Sequence, residues 1–166
     1  RSICDVYSAI SGYQNYGKIM HHYVLGVYDF LERLHTRYPG ILIEGCSGGG
    51  GRFDAGMLYY TPQIWCSDDT DAIERIKIQH GTSFGYPISA VGSHVSAVPN
   101  EQTGRSVPLG TRAVCAMAGS FGYELDISKL DAEEKEYIKQ QILDYKKFWN
   151  LLHNGLYYRL HQPAKD

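Results

Sequence analysis

The sequence contains no long hydrophobic run and no surplus of charge of one sign, and each absence excludes a class of protein. Its apolar stretches are far shorter than the ~20 residues that a transmembrane helix needs, so we expect no membrane span. The 16 lysine and arginine residues nearly balance the 18 aspartate and glutamate residues, which leaves a net charge of −2. Without a basic surplus, we expect no binding to nucleic acid or to an anionic membrane.

The sequence has four cysteines, and their spacing shows neither a C-x-x-C pair nor the pattern of a zinc site. Reduced thiols in a reducing compartment are the favoured interpretation. No secretory hydrophobic segment is visible either, so we expect a cytoplasmic location. The chain begins at Arg1 without an initiator methionine, and we expect it to be a piece of a longer polypeptide. The cysteines are Cys4, Cys46, Cys66 and Cys115.

What the sequence does contain is an alternation of helical and strand patterns. Apolar residues recur at three- and four-residue steps over residues 16–38, which predicts an amphipathic helix. Buried strands are predicted at 41–44 and 62–69, and residues 83–100 are predicted to be mostly strand or loop. A further helix is predicted within 109–118, a strand within 119–127 and a last helix after residue 131. This order predicts an α/β fold in which βα units build a parallel sheet.

Residues that favour helix ends mark two of these helices. For the helix that follows the second strand, Asp69 or Thr70 is the predicted N-cap and Gly81 the predicted C-cap. Asp131 is followed three residues later by Glu134, which predicts a capping box at the start of the last helix.

The stretch GCSGGGGRFD, residues 45–54, places four consecutive glycines directly after a predicted strand. Glycine loses more conformational entropy on folding than any other residue, so such a run indicates positive φ angles or a close approach of the backbone. A dinucleotide fingerprint cannot be aligned with the run, and the Walker pattern fails because Gly51 stands in the place of its lysine. We therefore predict no nucleotide cofactor. A flexible loop and a loop that contacts another ligand both stay open.

The stretch WCSDDTD, residues 65–71, places three aspartates just past a predicted strand. Asp69 and Asp71 are expected to cap and charge the start of the next helix. Asp68 stands where the strand ends, so its side chain can face the mouth of the sheet and act as a general acid. Acid pairs also bind divalent metals, but no further convergent ligands are visible, and no metal is predicted. For His94, in VGSHVS, a hydrogen-bonding role is favoured over catalysis.

Four segments together resemble one family. CSGGGGRFD, WCSDDTDAIER, GSHVSAVPN and GSFGYELD are similar, in the same order, to segments of the α-galactosidases of glycoside hydrolase family 36, the melibiases. The resemblance implies a (β/α)₈ barrel, flanked by an N-terminal β-domain and a C-terminal β-sandwich. Residues 1–153 would then be the C-terminal portion of the barrel, and residues 154–166 the start of a linker to the sandwich.

The resemblance also implies a retaining mechanism and a set of site residues. The acid/base position of the family matches Asp68. The family's nucleophile lies in a K-W-D-M-N stretch immediately before residues like RSICD, so it is expected just upstream of Arg1, and Asp5 does not match it. An isolated chain would therefore be inactive. The positions implied to contact galactose are Cys46, Gly48, Gly49, Trp65 and Asp69.

The resemblance implies hydrolysis of terminal α-galactosidic bonds in melibiose and raffinose-type oligosaccharides. Galactose and α-galactosides are the implied ligands, and the full-length enzyme is implied to be a homo-oligomer. Two alternatives stay open: a galactosyltransferase of the raffinose synthase type, and a non-catalytic carbohydrate-binding fragment. We also expect exposed apolar helix faces on a partial barrel.

Overall fold

Four short strands form one parallel sheet in the order in which they occur along the chain. The computed structural model describes residues 12–163, so Cys4, Asp5 and the last three residues lie outside the described part. Each strand pairs in parallel with the next one, which is the arrangement that successive βα units produce and confirms the predicted α/β class. The strands are β1 (Glu44–Gly45), β2 (Gln63–Trp65), β3 (Val91–Ser96) and β4 (Ser120–Glu124).

Helices connect and follow the strands. In residues 12–163 none of them combines the length and the hydropathy that a membrane span requires. The helices are α1 (Tyr16–Arg37), the single turn α2 (Ser47–Gly50), α3 (Ala55–Tyr60), α4 (Ala72–Thr82), α5 (Leu109–Met117) and α6 (Ala132–Asn154). Three short 3₁₀ turns complete the structure, at Tyr13–Asn15, Ile88–Ala90 and Ile127–Lys129.

The predicted first strand was largely wrong. Of residues 41–44, only Glu44 enters the sheet, where it pairs with Gln63. Ile41 and Leu42 are 45% and 72% exposed, so the apolar run is not a buried strand. β1 is an edge strand of this sheet. It pairs only with β2, over two residues.

The N-caps Asp69 and Thr70 and the C-cap Gly81 predicted for α4 were wrong, whereas the expectation that Asp71 caps this helix and the predicted capping box of α6 are confirmed. The N-cap of α4 is Asp71, whose carboxylate accepts hydrogen bonds from two backbone N–H groups of the first turn, and the helix continues through Gly81 to Thr82. At the start of α6, Asp131 and Glu134 accept hydrogen bonds from each other's backbone N–H groups.

The core lies between the sheet and the helices. Side chains alternate along β3: Val95 packs against Ala113 and Ala116 of α5, whereas His94 points to the opposite face of the sheet and stacks on Trp65. A second cluster joins α1, α3 and β2. Elsewhere α1 leaves Leu25 and Phe30 47% and 57% exposed, so the expected exposed apolar helix faces are confirmed.

The capping box of α6 carries a simple stability prediction. Asp131→Ala removes the side-chain acceptor of the Glu134 backbone N–H, and we expect a loss of about 1 kcal/mol in the free energy of unfolding. Differential scanning calorimetry of the full-length protein should show the transition of this domain lowered by a few degrees. Lys135→Ala, at the next exposed position outside the box, is the matched control. Equal melting temperatures for the two variants would contradict the prediction.

Candidate active site

The polar segments that follow β1, β2 and β3 meet at the carboxyl edge of the sheet. A cavity of about 260 Å³ opens there, and the last residues of β2, β3 and β4 all line it. In parallel α/β folds this edge is where ligand sites are built. The lining residues are Trp65, Asp68, Thr70, Ser96, Ala97, Asn100, Glu101, Gln102 and Glu124.

The glycine turn, which we define as residues 47–50, has left-handed backbone throughout. Its φ angles are 54° at Ser47 and 70°, 78° and 87° at the next three residues, all glycines. A side chain in this region costs roughly 1–2 kcal/mol per residue, which glycine avoids. The turn is closed by a hydrogen bond of 2.8 Å from the Gly50 N–H to the Cys46 carbonyl oxygen. The positive φ angles predicted for the run are therefore confirmed at its first three glycines, whereas Gly51 has a φ of −59°.

The glycine turn packs directly against the segment that carries Asp68. A Cβ atom on Gly50 would lie 2.8 Å from the carbonyl oxygen of Cys66. A Cβ atom on Gly49 would lie 3.1 Å from the Asp68 backbone nitrogen and 3.2 Å from its Cγ. The close backbone approach expected from the sequence is thus present, and it is made toward the neighbouring segment of the protein itself.

Asp68 is exposed at the mouth of the cavity, beside Gly49. Its backbone carbonyl oxygen accepts a hydrogen bond of 3.0 Å from Gln102 Nε2. As far as residues 12–163 show, no hydrogen bond or ion pair involves its carboxyl group, so this group is open to a ligand. The structure therefore places the predicted acid next to the glycines and at the mouth of the sheet.

The other residues implied to contact sugar have different surroundings. Cys46 is exposed at the start of the glycine turn, and Gly48 is exposed within it. The Asp69 carboxylate oxygen Oδ1 accepts a hydrogen bond of 3.0 Å from the Asp71 backbone N–H. Trp65 lines the cavity but is only 8% exposed, because His94 stacks on its ring at 4.7 Å and the Arg75 guanidinium lies 4.3 Å from it.

His94 lies in β3, and its ring stacks on Trp65, which lines the cavity. Burial lowers the pKa of His94, as does the Arg75 charge, while the nearby carboxylates Glu44 and Glu124 act in the opposite direction. The net shift is downward, so the imidazole is neutral near pH 7. Its contacts are the Trp65 ring and the Glu124 carboxylate, 3.9 Å from Nδ1.

Several polar residues of the site were not found by sequence reasoning. Arg75 is buried and donates to Cys66 Sγ at 3.1 Å and to the Gly92 carbonyl oxygen at 2.8 Å. Arg105 donates to the buried Asp71 carboxylate at 2.6 Å. These partners lie 9 to 34 positions apart in sequence, and no local pattern marks them. Within the described part of the chain, no group of three His, Cys, Asp or Glu residues could hold a metal ion.

The geometry agrees with a comparison to known protein families. A model of the melibiase family matches residues 1–155. The chain belongs to the melibiase family. The resemblance inferred from the four sequence segments is therefore confirmed, and with it the interpretation of the sheet as part of a (β/α)₈ barrel.

Individual melibiases show the same relationship. The chain is 61% identical over its whole length to the bifunctional α-galactosidase/sucrose kinase AgaSK of Mediterraneibacter gnavus, of which it covers 17%. It is 54% identical over its whole length to the α-galactosidase Mel36A of Lactobacillus acidophilus, of which it covers 23%. A crystal structure of the α-galactosidase AgaA of Geobacillus stearothermophilus, in complex with raffinose, superposes with a TM-score of 0.91 at 52% identity. That match covers 97% of this chain and 22% of AgaA, so the chain spans about a fifth of the length of such melibiases.

Proposed function

We propose that the protein containing this chain hydrolyses terminal, non-reducing α-galactosidic bonds in melibiose and raffinose-type oligosaccharides. The observation that carries the proposal is the place of Asp68: an exposed carboxyl group at the carboxyl end of β2, against the glycine turn and open to the cavity. The melibiase relatives support the substrate class, because they are α-galactosidases and one of them was crystallised with raffinose.

In the proposed mechanism Asp68 serves first as general acid and then as general base. Its carboxyl proton passes to the glycosidic oxygen as the bond from that oxygen to the galactose anomeric carbon breaks, while a second carboxylate attacks the same carbon. Water then attacks the galactosyl-enzyme ester and gives its proton to Asp68, which restores the acid. The anomeric configuration is retained, and the two carboxyl groups are expected ~5–5.5 Å apart. We place the second carboxylate upstream of Arg1.

The glycine turn is proposed to form one wall of the galactose pocket. With Cys46, Gly48 and Gly49 on that wall, a sugar can approach the main chain where a Cβ atom would otherwise intervene. Asp69 and Trp65 are proposed at the pocket's border. The low exposure of Trp65 supports an edge contact more than stacking of the sugar on the ring face.

The wider organisation is also part of the proposal. Residues 1–153 would supply the C-terminal portion of the barrel, and residues 154–166 would lead to a β-sandwich. The end of α6 at Asn154, followed by residues without helix or strand up to 163, supports this boundary. We further propose a cytoplasmic homo-oligomer. The unpaired thiols of Cys46, Cys66 and Cys115 support a reducing compartment, and the exposed apolar residues of α1 support contacts with further chain segments or subunits.

The proposal is tested by product analysis with the full-length protein. Melibiose and raffinose are expected to release galactose, and NMR at early times should show the α-anomer first. Addition of excess sucrose as acceptor separates hydrolysis from transfer. A galactosylated acceptor as the main product would indicate a transferase, and binding of melibiose without cleavage would indicate a carbohydrate-binding protein. Either result would overturn the proposal.

A further inference from the structure

We propose that Asp71 is a positioning residue for Asp68, and that it acts together with Arg105. We define the acid loop as residues 66–70, between β2 and α4, and the anchor loop as residues 97–107, between β3 and α5. The inference rests on the proposed function, because it concerns how the general acid of that reaction is held in place.

The first observation is that Asp71 has more partners than a helix cap needs. Its side chain is fully buried, and Oδ1 accepts hydrogen bonds from the backbone N–H groups of Ile73 and Glu74 at 2.8 and 3.2 Å. These two bonds satisfy the start of α4. Two further donors come from the anchor loop: Arg105 Nη1 reaches Oδ1 at 2.6 Å, and Thr103 Oγ1 reaches Oδ2 at 2.5 Å.

These contacts keep Asp71 ionised in spite of its burial. Burial alone would raise the pKa of Asp71, but the hydrogen bonds from Thr103, from the α4 backbone and from Arg105 outweigh it and lower the pKa. A buried carboxylate is costly unless it is both paired and hydrogen-bonded, as Asp71 is. The bonds therefore tie Asp71, the residue that directly follows the acid loop, to the anchor loop.

A second set of contacts joins the same two loops closer to the acid. Gln102 donates to the backbone carbonyl oxygen of Asp68 at 3.0 Å, and Asn100 donates to Thr70 Oγ1 at 2.9 Å. The Asn100 side chain also accepts from the backbone N–H groups of Gln102 and Thr103, which holds the anchor loop in shape. The backbone around Asp68 is thus fixed, whereas its carboxyl group stays open to the cavity.

The arrangement fixes the place of the acid without any contact between Asp71 and the substrate. Proton transfer requires the donor within hydrogen-bond reach of the leaving oxygen, and a displacement of about 1 Å can cost on the order of 10²-fold in rate. Loss of the hydrogen bonds from Arg105 and Thr103 to Asp71 would therefore impair proton delivery to the leaving group. Galactose binding on the glycine turn would be much less affected.

The test compares two substrates in the full-length protein. Raffinose needs a proton on its leaving oxygen, whereas a dinitrophenyl α-galactoside has a leaving group that departs without one. For Asp71→Asn, which keeps an oxygen acceptor for α4, and for Arg105→Ala, which leaves Asp71 intact, kcat/KM for raffinose is expected to fall about 30-fold or more. For the aryl substrate kcat/KM should fall less than about 3-fold. This parameter covers the steps up to cleavage of the glycosidic bond, and the aryl leaving group needs no proton in that cleavage.

The matched control is Glu74→Gln. Its carboxylate also lies 3.4 Å from Arg105, but in the described part of the chain no hydrogen bond joins its side chain to the acid loop. The ratio of the two kcat/KM values should therefore stay at the wild-type value. Arg105→Lys should bring the ratio of the two kcat/KM values closer to wild type than Arg105→Ala does, because it places a positive charge beside Asp71 again. Thermal denaturation of each variant accompanies the kinetics.

The outcomes separate this inference from the proposed function. An equal fall on both substrates would mean that Asp71 and Arg105 only stabilise the fold, and no fall on either substrate would mean that they do not position the acid. Both results overturn the inference while the wild-type enzyme remains an α-galactosidase. A wild-type enzyme that cleaves neither substrate would instead overturn the proposed function.

Discussion

Asp68→Ala in the full-length enzyme is expected to lower kcat/KM for raffinose by about 10²- to 10⁴-fold, the range that general acid catalysis contributes. The expected loss follows from the position of the Asp68 carboxyl group at the mouth of the cavity. No other described side chain holds this carboxyl group in a hydrogen bond or ion pair, so it is available to protonate the leaving oxygen. A dinitrophenyl α-galactoside should lose far less in kcat/KM, because its leaving group departs unprotonated. Its kcat should fall, because hydrolysis of the galactosyl-enzyme then lacks a general base.

Azide provides an independent check on the Asp68→Ala variant. As a nucleophile that needs no general base, azide should accelerate turnover of the aryl substrate and yield α-galactosyl azide. Glu136→Ala, which removes an exposed carboxylate on α6 outside the candidate site, serves as the control and should keep wild-type kinetics. Turnover of raffinose by Asp68→Ala at the wild-type rate would contradict the role given to this residue.

Gly49→Ala is expected to have the next largest effect. At a φ of 78° an alanine costs roughly 1–2 kcal/mol in backbone conformation alone. Its Cβ atom would also lie 3.1 to 3.3 Å from the backbone nitrogen, Cγ and Oδ2 of Asp68, which is tighter than ordinary contact. The acid must then shift by some tenths of an ångström or more. We expect kcat for raffinose to fall on the order of 10-fold to 10²-fold.

Gly81→Ala is the matched control for that substitution. Gly81 lies inside α4, where a Cβ atom would meet nothing within 4 Å. The variant should keep wild-type kcat and gain up to about 1 kcal/mol in stability, since alanine favours the helix. Wild-type activity of Gly49→Ala would show that the glycine turn does not constrain Asp68.

Local sequence patterns were sufficient where a local interaction decides the structure. The 3.6-residue periodicity of α1 and the capping box of α6 involve residues a few positions apart, and both were predicted. Helix α3 was missed, although Asp54 before an apolar run was an available signal: its carboxylate accepts from the Met57 backbone N–H at 2.9 Å. The helix is only 6 residues long, which is too short for periodicity to show.

Tertiary partners decided what the sequence could not. The sequence offered more than one cap for α4, among them two aspartates. Asp71 takes that place because Thr103 and Arg105, more than 30 positions away, hold it buried. His94 falls in a segment for which the sequence predicted strand or loop without deciding between them, and it belongs to β3 and stacks on Trp65. The position of Asp68 at the sheet mouth was predictable, because strand ends in parallel sheets share one edge.

The central claim is that Asp68 lies beside the galactosidic bond of a sugar bound on the glycine turn. The most direct measurement is a crystal structure of the full-length Asp68→Asn variant with raffinose. We expect the side-chain amide of residue 68 to lie within hydrogen-bond distance, about 2.6–3.2 Å, of the oxygen that links galactose to the rest of the sugar. Galactose bound away from residues 47–50, or a linking oxygen beyond the reach of residue 68, would contradict the account.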